Sequence, residues 1–165
     1  MKKRLTLLQM DVHVNDVEYN YNRVQELLTQ SLTENPDIIV LPETWNTGFH
    51  PSDDLITIAD RNGERTKSLL TAFAKEHNVN IVGGSVAVAK DDLVFNTSYA
   101  YNREGDLVGE YSKMHGFSPA KEDKYFASGT HTTHFKLDGI PCSTVICYDI
   151  RFPELVRMAA LPGTE

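Results

Sequence analysis

The sequence predicts a mixed α/β fold, and three observations carry that prediction. Short apolar runs such as residues 37–41 are typical of parallel strands that are covered on both faces. Apolar residues recur at helical spacing in two longer segments, one at residues 17–32 and one that ends near residue 78. The resulting order, β-α-β-α-β followed by a hairpin and a last β-α unit, indicates a mixed sheet.

The first half of the chain contains two predicted strands and two predicted helices. A buried strand is expected at residues 5–10, and a helix from Val17 to Leu32 with Asp16 placed to cap it. A short strand follows at residues 37–41, and the second helix ends near Asn78. The predicted apolar faces are Val17, Tyr21, Val24, Leu27, Leu28 and Leu32 in the first helix, and Leu69, Leu70, Phe73 and Ala74 in the second.

The second half predicts a hairpin and a long irregular stretch. In order, we expect a buried strand at 79–89, hairpin strands at 93–102 and 107–111, an irregular segment at 113–129, strands at 134–137 and 141–147, and a helix from Pro153 to Leu161 that stops at Pro162-Gly163. Gly83-Gly84 inside the first of these indicates a bulge or a close backbone approach. Long irregular segments inside compact domains are usually functional or disordered.

Composition narrows the function classes. A chain of 165 residues with 41% hydrophobic and 24% charged residues fits one soluble domain over residues 1–165. The net charge of −7 argues against a nucleic-acid partner, because phosphates would repel such a surface. The apolar run at residues 5–8 is too short for a signal segment or a membrane span, so no membrane partner is expected.

The two cysteines indicate a reducing compartment. Cys142 and Cys147 lie five positions apart on one predicted strand, which would separate them by about 16 Å. A disulfide needs Cα atoms within about 7 Å. We therefore expect two reduced thiols and a cytoplasmic protein.

Three chemically useful side chains follow predicted strands. Glu43 follows residues 37–41, Lys113 follows the second hairpin strand, and Cys147 follows the β-branched run 144–146. Ligands of open α/β sheets lie at the carboxyl ends of strands, so these side chains should meet at one edge. A helix N-terminus after Cys147 would favour its thiolate.

These residue types suit acyl transfer by a thiol. Such chemistry needs a nucleophile, a base and a positive group for the oxyanion. Cys147 supplies the sulfur, and Glu43 can take its proton if burial raises the carboxyl pKa. Lys113 and the backbone N–H of Tyr148 can stabilise the oxyanion.

Three segments together resemble the nitrilase superfamily of carbon–nitrogen hydrolases. They are Leu41-Pro42-Glu43, Tyr111-Ser112-Lys113-Met114-His115 and Cys147-Tyr148-Asp149-Ile150-Arg151-Phe152-Pro153-Glu154, and the last is closest to the omega-amidase-like branch. The resemblance implies a Glu-Lys-Cys triad of Glu43, Lys113 and Cys147. It also implies a fourth site residue, for which Glu122 is the match and Asp123 the competitor. Gly116 departs from the pattern, since relatives commonly carry a leucine there.

The resemblance further implies a fold, a reaction and partners. The fold is a nitrilase-like αββα sandwich with a mixed sheet, of which this chain would hold the N-terminal part, because the family's sandwich continues well past the cysteine. The reaction is cofactor-free hydrolysis of a small ω-amide of an amino or 2-oxo acid to carboxylate and ammonia through a thioester. The full-length protein would form a homodimer and bind a small-molecule amide.

Other interpretations stay open at this point. The same thioester could serve an acyltransferase, a nitrile could be the substrate, or the chain could be a non-catalytic fragment or binding module. Trp45, Phe117 and Tyr148 are predicted to line the substrate pocket, with core packing equally open for each.

The remaining polar candidates receive structural interpretations. Asn96 and Arg151 are expected to fix loops through hydrogen bonds. His115 could pair with Cys147, but a structural or pocket-lining role fits the motif better. His131 and His134 lack accompanying ligands at metal-site spacing, so we expect no metal.

Overall fold

The computed structural model describes residues 2–49, 51–161 and 163–164. Its strands are β1 (Leu5–Leu7), β2 (Ile38–Val40), β3 (Asp60–Arg61), β4 (Asn80–Val82), β5 (Val86–Lys90), β6 (Leu93–Tyr101), β7 (Leu107–Ser112), β8 (His134–Leu137) and β9 (Ile140–Ser143). Its α-helices are α1 (Val17–Ser31), α2 (Leu55–Ile58), α3 (Glu64–His77), α4 (Glu122–Tyr125) and α5 (Pro153–Ala160). Within the described ranges, no helix combines the length and apolar character that crossing a membrane requires.

A seven-stranded mixed sheet forms the centre of the structure, which confirms the predicted fold class. Its strand order is β1-β2-β4-β6-β5-β3, and β7 pairs with β6. Strands β1, β2 and β4 run parallel, whereas β5, β6 and β7 form antiparallel pairs. The predicted hairpin is therefore the β6–β7 pair.

Helices α1 and α3 cover one face of this sheet, as their apolar periodicity predicts. Asp16 caps α1 by accepting a hydrogen bond from the Tyr19 backbone N–H at 3.1 Å. Asn78 ends α3 in the left-handed conformation, with φ of 51°. The buried core between helices and sheet includes Tyr21, Val24, Leu28, Ile39, Leu70, Ala74, Ile81, Val88 and Tyr99.

The β8–β9 hairpin packs on the opposite face and starts a second sheet layer. Phe135 and Leu137 contact Ile38 and Ala100 there. Arg103 joins the layers, since its guanidinium donates to Asp138 at 2.8 Å and to Asp37 at 2.9 Å.

The expectation of a buried first strand is wrong for β1. The strand has three residues instead of six, and Leu5 and Leu7 are 56% and 72% exposed. Because side chains alternate along a strand, both lie on the face that carries the second layer. That layer packs around Ile38 and Ala100 and does not extend over β1.

The predicted strand at 79–89 is instead two strands, β4 and β5. Gly84 separates them with a φ of +57°, and a Cβ there would lie 2.0 Å from the Pro42 carbonyl oxygen. The close backbone approach indicated by the glycine pair is therefore present. It lets Ser85 donate its N–H to the Pro42 oxygen at 3.0 Å, which fixes the chain after β2.

The predicted strand at 141–147 is shorter than expected. Ser143 pairs with His134, the first residue of β8, so the ladder has no further partner and β9 ends there. Residues 144–146 are irregular, and Cys147 opens a 3₁₀ turn, Cys147–Arg151, that precedes α5. The predicted end of that helix at Pro162 lies outside the described residues.

Candidate active site

Lys113 lies at the centre of a buried group of charged side chains. Its Nζ lies 2.8 Å from Glu43 Oε1, and 3.0 and 2.8 Å from the two carboxylate oxygens of Glu122. The Lys113 side chain is 3% exposed. The structure thus brings together three of the residues that the sequence singled out, two of which, Glu43 and Lys113, are 70 positions apart in the chain.

Strand ends place Glu43 and Lys113. Glu43 follows β2, and the next residue, Thr44, has a left-handed φ of 43° and donates its N–H to Ser85 Oγ at 3.0 Å. Lys113 follows β7 and extends the β6–β7 ladder, since its N–H donates to the Asn96 carbonyl at 2.9 Å. Both side chains therefore extend from backbone that is fixed by the sheet.

Glu122 rather than Asp123 contacts Lys113. Glu122 is the first residue of α4, a one-turn helix inside the segment predicted to be irregular, and it is 1% exposed. The Phe117 backbone N–H donates to its carboxylate as well. Asp123 is exposed to solvent. Of the two candidates, only Glu122 belongs to the buried group.

Burial and charge act in opposite directions on the lysine. Burial of Lys113 by itself would lower its pKa. Hydrogen bonds to Glu122 and Glu43, with the charges of both carboxylates, outweigh burial and raise the pKa above its ordinary value. Lys113 is therefore a fixed cation held between two carboxylates.

Cys147 is exposed, and its thiol shares a cavity with Glu43. The cavity measures about 180 Å³ and is also lined by Gly84 and Ser98. Burial raises the pKa of the Cys147 thiol, the neighbouring Glu43 carboxylate raises it further, and Lys113 acts in the opposite direction. The expectation that a helix N-terminus favours the thiolate is wrong here, because Cys147 heads a 3₁₀ turn beside a carboxylate.

The backbone at Cys147 has an unusual conformation. Its φ of 47° lies in the left-handed region, which non-glycine residues rarely adopt. Such strain persists only where surrounding contacts determine it, and it is concentrated at functional sites.

Asp149 supplies those contacts. This fully buried carboxylate accepts hydrogen bonds from the Ile146 N–H at 3.1 Å and the Tyr111 hydroxyl at 2.7 Å on Oδ2, and from the His115 N–H at 2.9 Å on Oδ1. It therefore ties the Cys147 turn to the segment that carries Lys113. Its position two residues after the cysteine is the only signal that the sequence offered.

His115 has a structural role in this arrangement. Its Nδ1 lies 2.9 Å from Asp149 Oδ1, and its ring stacks on Phe152 at a centroid distance of 3.6 Å. The ring thus faces Asp149 and Phe152. This placement agrees with the structural interpretation rather than with a Cys-His pair.

The three aromatic candidates divide into two groups. Trp45 is fully buried in the core and donates from Nε1 to the Gly83 carbonyl at 3.0 Å, so its assignment to the substrate pocket is wrong. It sits on the chain after β2, where it fills the space under α1. Phe117 and Tyr148 are half-buried and pack edge to face at 5.1 Å, and Tyr148 directly follows Cys147 in the chain.

The two histidines for which a metal interpretation was considered lie at the protein surface. His131 and His134 are both exposed. In the part of the chain that the structure describes, no group of three His, Cys, Asp or Glu side chains could hold a metal ion. Cys142 and Cys147 are not joined by a disulfide.

Asn96 is a site residue that the sequence did not identify as one. It lies in β6, is 1% exposed, and donates from Nδ2 to Glu43 Oε1 at 3.0 Å. A buried amide in a strand that also contains Thr97 and Ser98 gave no signal that would set it apart. Arg151, which was grouped with it, is exposed.

Comparison with known proteins finds relatives by sequence and a similar fold by structure. The chain is 39% identical over its full length to a 2-oxoglutaramate amidase of Bacillus subtilis, and 31% identical over 98% of its length to a protein of Staphylococcus aureus named hydrolase in agr operon. These matches cover 63% and 62% of the two relatives, so the chain spans about three fifths of their length. A crystal structure of an amidase from Nesterenkonia sp. superimposes with a TM-score of 0.86 at 22% identity, over 99% of this chain and 62% of that one.

The family model for carbon-nitrogen hydrolases matches residues 4–165. This match covers nearly all of the chain, and it includes each of the three segments that supply Glu43, Lys113 and Cys147. The chain therefore belongs to the carbon-nitrogen hydrolase family.

Proposed function

We propose that the full-length protein is an amidase that hydrolyses a small linear amide to a carboxylate and ammonia through a thioester on Cys147. The observation that carries this proposal is the placement of Lys113 between Glu43 and Glu122, with the Cys147 thiol in the same cavity as Glu43. A nucleophile, a base and a fixed cation are the groups that acyl transfer needs.

In the first half of the reaction the thiol is acylated. Cys147 Sγ bonds to the amide carbon while its proton passes to Glu43, and the carbonyl electrons move to oxygen. A raised thiol pKa means that the resting nucleophile is neutral, so a base must act during attack. The positive charge of Lys113 and the Tyr148 backbone N–H stabilise the oxyanion. When it collapses, the C–N bond breaks and Glu43 returns the proton to the leaving ammonia.

In the second half water releases the acid. Glu43 takes a proton from water as the water oxygen attacks the thioester carbon. The C–S bond then breaks, and the proton on Glu43 returns to sulfur. Each step uses only side chains of this chain, water and substrate, so the proposed cycle requires no cofactor.

Glu122 acts through Lys113 in this scheme. Both of its oxygens accept hydrogen bonds from the ammonium, and this contact holds the lysine in place as charge moves between Glu43 and substrate. Fixed charges that need no reorganisation are the main source of electrostatic stabilisation in such sites.

The proposed substrate class is the ω-amide of an amino or 2-oxo acid. The names of two relatives support it: the 2-oxoglutaramate amidase of Bacillus subtilis and, at 27% identity, the chloroplastic omega-amidase of Arabidopsis thaliana. Tyr148 directly follows Cys147 and packs against Phe117, and these two side chains are the proposed contacts for the substrate chain.

The test is ammonia release and intact-mass measurement on the full natural polypeptide with a panel of ω-amides, including 2-oxo acid amides. We expect ammonia and a transient acyl adduct on Cys147. The Cys147→Ala variant should lose both, whereas Cys142→Ala, the matched thiol on β9, should keep both. Retained ammonia release in Cys147→Ala would end the proposal. Adding an amine nucleophile separates hydrolysis from acyl transfer, since a transferase would form the substituted amide.

We propose, further, that residues 1–165 are part of one carbon-nitrogen hydrolase domain that is longer than this segment. The exposed leucines of β1 and the coverage of relatives support this. We also propose a cytoplasmic homodimer for the full-length protein. The mass of the natural polypeptide, light scattering after gel filtration and cell fractionation test these three points.

A further inference from the structure

Asn96 binds both members of the Glu43–Lys113 pair at once. Its side-chain Nδ2 donates to Glu43 Oε1 at 3.0 Å, and its backbone carbonyl accepts the Lys113 N–H at 2.9 Å. The residue lies in β6, between β5 on one edge and β7 on the other. No side-chain movement is therefore needed to keep it in contact with the carboxylate.

The two donors on Glu43 converge on one oxygen. Oε1 accepts from Lys113 Nζ at 2.8 Å and from Asn96 Nδ2 at 3.0 Å. A carboxylate oxygen has two lone-pair positions, so both positions of Oε1 are taken. The other oxygen, Oε2, is the one left to receive a proton.

The side-chain oxygen of Asn96, Oδ1, is an atom whose burial opposes folding. It is buried and has no hydrogen-bond partner among the described residues. The large majority of buried side-chain polar atoms in proteins are paired, and an unpaired one opposes folding. The amide therefore points to a role at Glu43.

We propose that Asn96 is a positioning residue that selects Glu43 Oε2 as the general base by occupying Oε1 together with Lys113. This inference rests on the amidase function proposed above. It assigns Asn96 no contact with substrate. It predicts that Asn96 controls which oxygen of Glu43 receives the proton, and the reactivity of Cys147.

The titratable groups around Glu43 are few in the described chain. Lys113 approaches it from the end of β7, Glu122 contacts that lysine from α4, and Cys147 faces it from the 3₁₀ turn. Asn96 is the uncharged member of this group. Changing it to aspartate replaces a donor with an isosteric carboxyl and adds a potential negative charge beside Glu43.

The experiment compares Asn96→Asp and Asn96→Ala with the matched control Asn80→Ala, all in the full natural polypeptide. Asn80 is also fully buried and has an Oδ1 with no hydrogen-bond partner among the described residues, but its side chain donates to the Asp37 carbonyl and to Asp138, at the far end of β4 from Glu43. We expect kcat of both Asn96 variants to fall about 10- to 100-fold with KM little changed, the size of one charge-assisted hydrogen bond. The acidic limb of the kcat/KM profile of Asn96→Asp should move to higher pH, and Asn80→Ala should keep both the wild-type kcat and the wild-type profile.

A substrate-free measurement separates this inference from the proposed function. The rate of Cys147 alkylation by iodoacetamide is followed against pH in the same variants. In Asn96→Asp the curve should shift to higher pH, because the added charge opposes the thiolate. An unshifted alkylation curve in folded Asn96→Asp would overturn the inference, whatever the amidase assay shows. A shifted curve with no ammonia release from any wild-type reaction would instead count against the amidase proposal alone.

Discussion

The Tyr111→Phe substitution tests whether the buried Asp149 carboxylate holds the Cys147 turn in place. It removes one hydroxyl and leaves the ring of a residue that is 1% exposed. Burial raises the pKa of Tyr111, and the hydrogen bond to Asp149 raises it further, so the hydroxyl stays protonated and acts as a donor. Among the described residues, the change removes the hydrogen bond that the hydroxyl donates to Asp149 Oδ2, at 2.7 Å, and the one that it accepts from the Met114 backbone N–H.

The expected effect follows from the hydrogen bond that is lost. A hydrogen bond to a charged group contributes about 1.5–3 kcal/mol. Asp149 keeps its donors at Ile146 and His115, so the carboxylate is not left unpaired. We therefore expect the free energy of unfolding to fall by about 2 kcal/mol, which lowers Tm by about 4–8 °C for a domain of this size.

Urea denaturation measures this difference, and Tyr99→Phe is the matched control. Tyr99 is equally buried, but its hydroxyl has no hydrogen-bond partner among the described residues. Removing the Tyr99 hydroxyl should lower the free energy of unfolding by less than about 0.5 kcal/mol or should raise it. Equal midpoints and slopes for the two variants would refute the assignment of Asp149 as the anchor of the turn.

Two further predictions follow from local geometry and charge. Gly84→Ala would place a Cβ 2.0 Å from a carbonyl oxygen at a residue with a positive φ. Urea denaturation should therefore show that the free energy of unfolding falls by about 3 kcal/mol. Gly139 has a φ of +82° but open space where a Cβ would lie, so Gly139→Ala should lower the free energy of unfolding by about 1–2 kcal/mol. Equal losses in the two variants would show that the close approach at Gly84 does not affect stability. Iodoacetamide should alkylate Cys147 at higher pH than it does a free cysteine, because burial and Glu43 raise the thiol pKa. Glu43→Gln should move that curve to lower pH, and a shift in the opposite direction would show that the carboxylate does not oppose the thiolate.

The sequence predicted that Glu43 and Lys113 lie close together because local residue patterns indicate where a strand ends. Those patterns indicate the ends of β2 and β7, and the order of strands in the sheet brings the two ends to one edge. The Lys113–Glu43 contact then follows from two short motifs. Glu122 followed from its match to a family position, and the structure distinguishes it from its neighbour Asp123.

Contacts that depend on register were not predictable in the same way. Asn96 reaches Glu43 because β6 pairs with β5 on one edge and β7 on the other, which a single sequence does not specify. Residues 144–146 have strand-forming side chains, yet β8 begins too late to pair with them. Trp45 follows Glu43 directly, but its side chain turns into the core, since neighbouring side chains on a backbone need not share a face.

The positive φ of Cys147 limits the chemistry that substitution could bring to this turn. Serine would keep the unbranched Cβ that a left-handed backbone tolerates, whereas threonine or valine would crowd the neighbouring carbonyl. A library of replacement nucleophiles at this position should therefore yield folded serine variants and lose the threonine ones. The shape of the main chain at one residue would thus determine which hydroxyl could ever substitute for the sulfur.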